Sequence, residues 1–115
     1  MTPDPPEAAS IVSTTVDDEA VARRIAETLV EERLAACVQL LPGVLSTYRW
    51  QDRVEQTLEW LLQCKTTAAR VPQLIARLKT LHPYETPEIL AVTVTAGDED
   101  YLAWVTENTT DPVSS

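Results

Sequence analysis

Lysine is scarce in this 115-residue chain: Lys65 and Lys79 are the two present, and nine lysines and arginines together face eighteen acids, a formal charge of −9. With no cluster of basic residues, nucleic acid and anionic membrane are excluded as expected partners, because phosphate affinity comes mainly from Lys and Arg displacing counterions. A charge of this size speaks to solubility rather than fold, and it assigns no cation site by itself. Two cysteines, Cys37 and Cys64, are too few for a disulfide framework and are read as reduced thiols. Two glycines, Gly43 and Gly97, leave no glycine-rich phosphate loop. No apolar run approaches the roughly twenty residues that cross a bilayer. The start, Met1 to Glu7, lacks the basic and apolar stretches of a secretory signal, so a cytoplasmic location is expected.

What is present suits one compact domain. Hydrophobic residues make up 44% of the chain, enough for a core without disulfide or metal staples. A domain of this size buries roughly two thirds of its unfolded surface. Residues 1–9 are proline-rich and acidic, and residues 109–115 are polar and broken by Pro112, so both are expected to be disordered tails around a folded unit over 10–108.

Within that unit, Ile11 and Val12 open a short strand, and Ser13-Thr14-Thr15 followed by Asp17, Asp18 and Glu19 reads as a helix start. The helix is predicted to run to about Leu34, with Ala22, Ile25, Ala26, Leu29 and Val30 as its buried stripe. From Cys37 to Trp50 the residues favour strand, and Val54 to Thr66 alternates in the period of a second strand. The polar link Gln51-Asp52-Arg53 makes these a hairpin, with Pro42-Gly43 marking a bulge or bend. A second helix carries Leu74, Ile75, Leu78 and Leu81, tolerates Pro72 in its first turn and stops at Pro83. Ile89 to Thr95 is a strand, and Asp98 to Asn108 a third helix anchored by Tyr101, Leu102, Trp104 and Val105. The order βαββαβ with a C-terminal helix predicts an α+β, ferredoxin-like antiparallel sheet with two helices on one face.

The long hairpin carries a further implication. At about 3.3 Å per residue, Cys37 to Trp50 would span roughly 46 Å if straight. A globule of about 100 residues has a radius of gyration near 13 Å, so the hairpin must bend, project, or do both. A projecting hairpin bearing Leu45, Tyr48, Trp50 and Val54 is an aggregation hazard unless another copy covers it, which predicts a closed homo-oligomer.

Chemistry concentrates in few residues. The single histidine, His82, lies in His82-Pro83-Tyr84-Glu85-Thr86-Pro87-Glu88, a loop stiffened by two prolines that can hold His82, Tyr84, Glu85 and Glu88 in fixed directions, or serve as a structural connector. His82 and Glu85 are three apart, a metal spacing on a helix, although Pro83 works against helix there. If positions summing to about 103 pair across the hairpin, Cys37 faces Thr66 and Cys64 faces Gln39, making the thiols close neighbours. A thiolate beside His or carboxylate selects copper or zinc over magnesium. One Cys and one His cannot complete a tetrahedral site, so a tight metal would need several subunits or carboxylates. The metal candidates are Cys37, His82 and Glu85. No oxyanion hole or orienting third group accompanies a Cys–His pair, so no enzyme is expected.

The run Ala35-Ala36-Cys37-Val38-Gln39, the Leu41-Pro42-Gly43-Val44 turn, Tyr48-Arg49-Trp50, Lys65-Thr66-Thr67 and above all His82-Pro83-Tyr84-Glu85-Thr86-Pro87-Glu88-Ile89 resemble the CutA divalent-cation tolerance family over about Ile11 to Thr106. The resemblance implies a homotrimer similar in architecture to PII signalling proteins, with Tyr48, Trp50 and Val54 at the trimer interface. It also implies a cytoplasmic protein tied to tolerance of copper and other divalent cations, with no obligatory cofactor and copper bound in some members through the cysteine matching Cys37. A PII-like alternative would place a small anionic metabolite in an inter-subunit cleft lined by Trp50, Lys65, His82, Tyr84 and Glu88. Two positions depart from the family: Gln39 stands where Asn is frequent, and Cys64 where an aliphatic residue is common.

Overall fold

A computed structural model describes residues 8–110. Strand β1 covers Ala9–Val16 and places Ser10, Val12, Thr14 and Val16 on its buried face. It is longer than expected, because the β-branched residues Thr14, Thr15 and Val16 continue the strand instead of opening the helix. Asp18 caps helix α1 (Glu19–Glu31), its carboxylate accepting from the Val21 N–H at 3.0 Å. The helix ends before Leu34, where Arg33 turns left-handed at φ 60°. Ala22, Ile25 and Leu29 form its buried stripe, while Ala26 is half-buried and Val30 is exposed.

Strands β2 (Cys37–Trp50) and β3 (Arg53–Thr67) form the hairpin, and Gln51 and Asp52, both at positive φ, make a two-residue turn between them. Arg53 is paired with Trp50 rather than lying in the link. Register runs simply to Val44 opposite Glu59, after which Pro42 and Gly43 together take the place of one residue, and Leu41 meets Leu61. That bulge shifts everything beyond it: Cys37 pairs with Lys65, not Thr66, and Cys64 pairs with Val38, not Gln39.

Helix α2 (Val71–Leu81) buries Leu74 and Leu78 and keeps Pro72 in its first turn, where no intrahelical donor is needed. Strand β4 (Ile89–Thr93) stops two residues short of Thr95. Helix α3 (Glu99–Asn108) buries Val105, while Tyr101 and Trp104, expected to anchor it, stay partly exposed.

The sheet is antiparallel in the order β2-β3-β1-β4, the ferredoxin-like arrangement. Val12, Val16, Leu62 and Cys64 on one sheet face join Ala22, Ile25, Leu29, Leu74 and Leu78 in a single core under α1 and α2. The opposite face carries Ile11, Leu61, Leu90 and Val92, and Val105 of α3 is buried apart from the core cluster. The hairpin both bends at the bulge and projects. The radius of gyration is 14.9 Å, and the longest extent is 47 Å, against about 13 Å expected for a globule of this length. Leu45, Leu58, Tyr48, Trp50 and Val54 are exposed along it.

Ala9 lies in β1 and Thr109 is buried. The remainder of both expected tails, residues 1–7 and 111–115, lies outside the described residues. No helix among the described residues is long and apolar enough to cross a membrane.

Candidate functional site

The His82–Glu88 loop begins at the C-cap of α2, where the helix delivers His82 into a buried position beside the end of β1. Its Nε2 lies 2.8 Å from the Thr15 carbonyl oxygen, and its Nδ1 is 3.2 Å from the Tyr84 backbone nitrogen. A carbonyl can only accept and a backbone N–H can only donate, so the ring carries its proton on Nε2 and accepts at Nδ1. Both nitrogens are therefore used, which leaves His82 no lone pair for a metal.

Tyr84 packs edge-on against that ring at 4.7 Å and sends its hydroxyl to Glu59 Oε2 at 2.7 Å. Burial, then the hydrogen bond and charge of Glu59, and then the charge of Asp17 raise the Tyr84 phenol well above its ordinary value. Glu59 is 6% exposed, a carboxylate buried on β3 at the bulge and held by a residue 25 positions away. It was missed in the sequence because that separation carries no local pattern; the one signal was that a tyrosine fixed between prolines needs an acceptor. Glu85 and Glu88 are exposed.

A second group forms on the face of the sheet opposite α1 and α2. Cys37, Lys65, Ile11 and Val92 are consecutive partners across β2, β3, β1 and β4, so their side chains share one face. Cys37 is half-buried on the edge strand, and the Lys65 ammonium donates to Gln39 Oε1. Burial first, and then the neighbouring Cys37 thiol, raise the Tyr101 phenol of α3. Cys64 points the other way, into the core. Its complete burial pushes the thiol up to about 12, with Cys37 adding to the rise and Lys65 opposing it. The expected side-by-side thiols are thus on opposite faces, because the one-residue bulge inverts the facing of every residue beyond it.

Within one chain the predicted residues divide rather than converge. Among the described residues, no group of three or more His, Cys, Asp or Glu gathers, so Cys37, His82 and Glu85 make no common site. Trp50 sits at the hairpin tip and Lys65 near the far end of β3, so these two are not brought together within one chain. At the tip, Tyr48 hydrogen-bonds across the strands to Thr57 at 2.8 Å, while Trp50 and Val54 remain exposed. Neither a groove bordered by Ala9, Val94, Leu102 and Thr106 nor one bordered by Glu32, Arg70 and Arg77 includes a candidate residue.

Comparison with known proteins places this geometry. The family model described as CutA1 divalent ion tolerance protein matches residues 10–108. The chain is 52% identical over 99 residues to the divalent-cation tolerance protein CutA of Thermus thermophilus, covering 86% of this chain and 96% of that one. It is 44% identical over 97 residues to the CutA of Pectobacterium atrosepticum, covering 84% and 88%. The crystal structure of CutA from Xylella fastidiosa superimposes with a TM-score of 0.88 at 45% identity, covering 90% of this chain and 99% of that one.

Proposed function

The chain belongs to the CutA1 divalent ion tolerance family, and from that premise we propose that it works in the cytoplasm as a homotrimer that takes up copper, or a similar soft divalent cation, through the Cys37 thiol. The observation that carries this reading is the contrast between the two cysteines. Cys64 is sealed in the core with its thiol pushed up to about 12, whereas Cys37 is half-buried on the face opposite α1 and α2, beside a lysine. A thiolate is the metal-binding form, and a soft ligand of this kind favours copper or zinc over magnesium.

One thiol cannot hold a cation tightly, and His82 is committed to Thr15 and Tyr84. The remaining donors therefore come from other copies or from exposed carboxylates such as Glu85. The trimer is supported by the apolar surface that one chain leaves uncovered: Leu45, Leu58 and Val54 on the hairpin, and Leu90 and Val92 on the sheet face. A surface of this kind on a long edge hairpin calls for a covering partner. The protein acts by binding, without turnover. Nothing in the geometry of one chain favours the metabolite cleft, since Lys65 is already engaged by Gln39.

Anaerobic copper titration of the wild type and Cys37→Ser, with mass measured on the same samples, tests both parts. Stoichiometric binding lost in Cys37→Ser, in a particle of three times 12.8 kDa, is the expected result. Binding that Cys37→Ser leaves unchanged overturns the metal assignment, and a mass of one chain overturns the trimer.

A further inference from the structure

Glu59 is a buried acid held by a neutral group alone. It is 6% exposed, and the Tyr84 hydroxyl donates to Oε2 at 2.7 Å. Its other oxygen, Oε1, accepts from no described residue, and among the described residues no lysine, arginine or histidine forms an ion pair with it. The surroundings add negative charge rather than cancel it, since the charges of Glu59 and Asp17 both raise the Tyr84 phenol. A carboxylate withdrawn from water is held at a large cost in free energy unless an opposite charge meets it.

Its own chain has no cation to give. Arg23 pairs with Glu19 and Arg77 with Glu32, Arg33 and Arg70 hold the carbonyls that end α3, and Lys65 donates to Gln39. Arg24 and Lys79 lie on α1 and α2, which cover the sheet face bearing Leu62, whereas alternation along β3 puts Glu59 on the other face. Arg49 and Arg53 remain, beside the turn at the hairpin tip, both exposed and without a partner among the described residues. Counted along β3, the tip lies roughly 16 to 20 Å from Glu59 of the same chain, farther than an arginine side chain extends. A projecting tip meets another copy instead, and a guanidinium is the group whose planar donors match a carboxylate.

We propose that Glu59 is the socket for the hairpin tip of a second copy: a guanidinium of Arg49 or Arg53 from that copy pairs with Oε1, while Tyr84 holds Oε2. A contact from the tip of one chain to the middle of the next repeats around a closed ring. One charge pair set among apolar side chains such as Leu45, Leu58 and Val54 fixes the register in which the copies meet. The pairing rests on the trimer proposed above, and it is independent of whether Cys37 takes up a cation.

The test follows assembly and needs no metal. Mass from light scattering is measured over a dilution series, in urea below the unfolding range, for the wild type, Glu59→Gln, the Arg49→Gln, Arg53→Gln pair, and all three changes together. Glu59→Gln and the arginine pair are each expected to raise the concentration for half-assembly at least tenfold, and the combined variant to raise it no further than the stronger of the two. Factors that multiply in the combined variant, or half-assembly unchanged in Glu59→Gln, overturn the pairing and leave the trimer standing. A wild type with the mass of one chain at every concentration in the absence of urea overturns the trimer and the pairing with it. Should Glu59→Gln fail to fold, the Arg49→Lys, Arg53→Lys variant decides, mixed from light and isotope-labelled chains and treated with a carbodiimide, which joins an amine to a carboxylate in direct contact. A peptide linking the tip of one chain to Glu59 of another is expected, and its absence overturns the proposal.

Discussion

The Tyr84 hydroxyl donates a 2.7 Å hydrogen bond to Oε2 of Glu59, joining the proline-stiffened loop to the strand at the point where the hairpin bends. A buried carboxylate that accepts from a phenol is costly to strand. Tyr84→Phe removes the donor without changing shape, and is expected to destabilise the protein by about 1 to 3 kcal/mol in urea unfolding. Adding Glu59→Gln should return part of that loss, because the amide replaces a charge that no longer has its partner. Additive effects of the two changes would show that the bond carries no coupling.

Alkaline pH should weaken the fold through Cys64. Its thiol is raised from 9 to about 12 by burial, so it stays protonated in the folded chain and ionises on unfolding above pH 9. The contribution is complete below pH 9 and is lost as pH rises toward 12, by up to about 1.4 kcal/mol per pH unit. Tyr84, also raised, steepens the loss above pH 10. Urea midpoints followed from pH 8 to 10 should fall less steeply in Cys64→Ala than in the wild type; equal slopes would remove Cys64 as the cause.

Oxidation should not close a bridge between Cys37 and Cys64 within one chain. The bulge puts the two side chains on opposite faces of the sheet, and a disulfide needs Cβ atoms about 3.5 to 4.5 Å apart and turned toward each other. Mass spectrometry of the mildly oxidised protein, digested without reduction, is expected to lack a Cys37–Cys64 crosslinked peptide from a single chain.

Gly43 adopts φ 74° at the bulge, with nothing within 4 Å of the place a Cβ would occupy. Gly43→Ala therefore meets backbone strain without collision, and should cost about 1 to 2 kcal/mol, the left-handed penalty of a residue with a Cβ. Urea unfolding measures it, and a neutral result would mean that the hairpin relaxes its bend freely.

The hairpin's apolar surface gives the last expectation. Leu45 and Leu58 are direct cross-strand partners, both more than half exposed. Leu58→Asp should shift the mass from light scattering toward that of one 12.8 kDa chain while leaving the far-ultraviolet circular dichroism of the subunit in place.

Periodicity made much of this architecture readable. The span of β2, the stripe of α2 and the order of elements follow from residue spacing, since alternation and the 3.6-residue repeat are local properties. Local reading failed where two rules competed. Thr14 and Thr15 suit both a helix cap and a strand, and pairing with β3 and β4 decided for the strand. Tyr101 and Trp104 look like core anchors by type, yet the sheet face beneath them leaves them open.

For the candidate residues, the chain's own order settled which groups exist: two thiols, one histidine in a stiff loop, a long hairpin with apolar side chains, and a family motif around His82. Their relations came from the folded sheet. A single extra residue at Pro42-Gly43 turned Cys37 away from Cys64, and contacts spanning 67 and 25 positions bound His82 to Thr15 and Tyr84 to Glu59. Facing has a period of two along a strand, so one residue inverts it. The placement of a bulge, and the partners that distant segments find, depend on the packing of the whole chain.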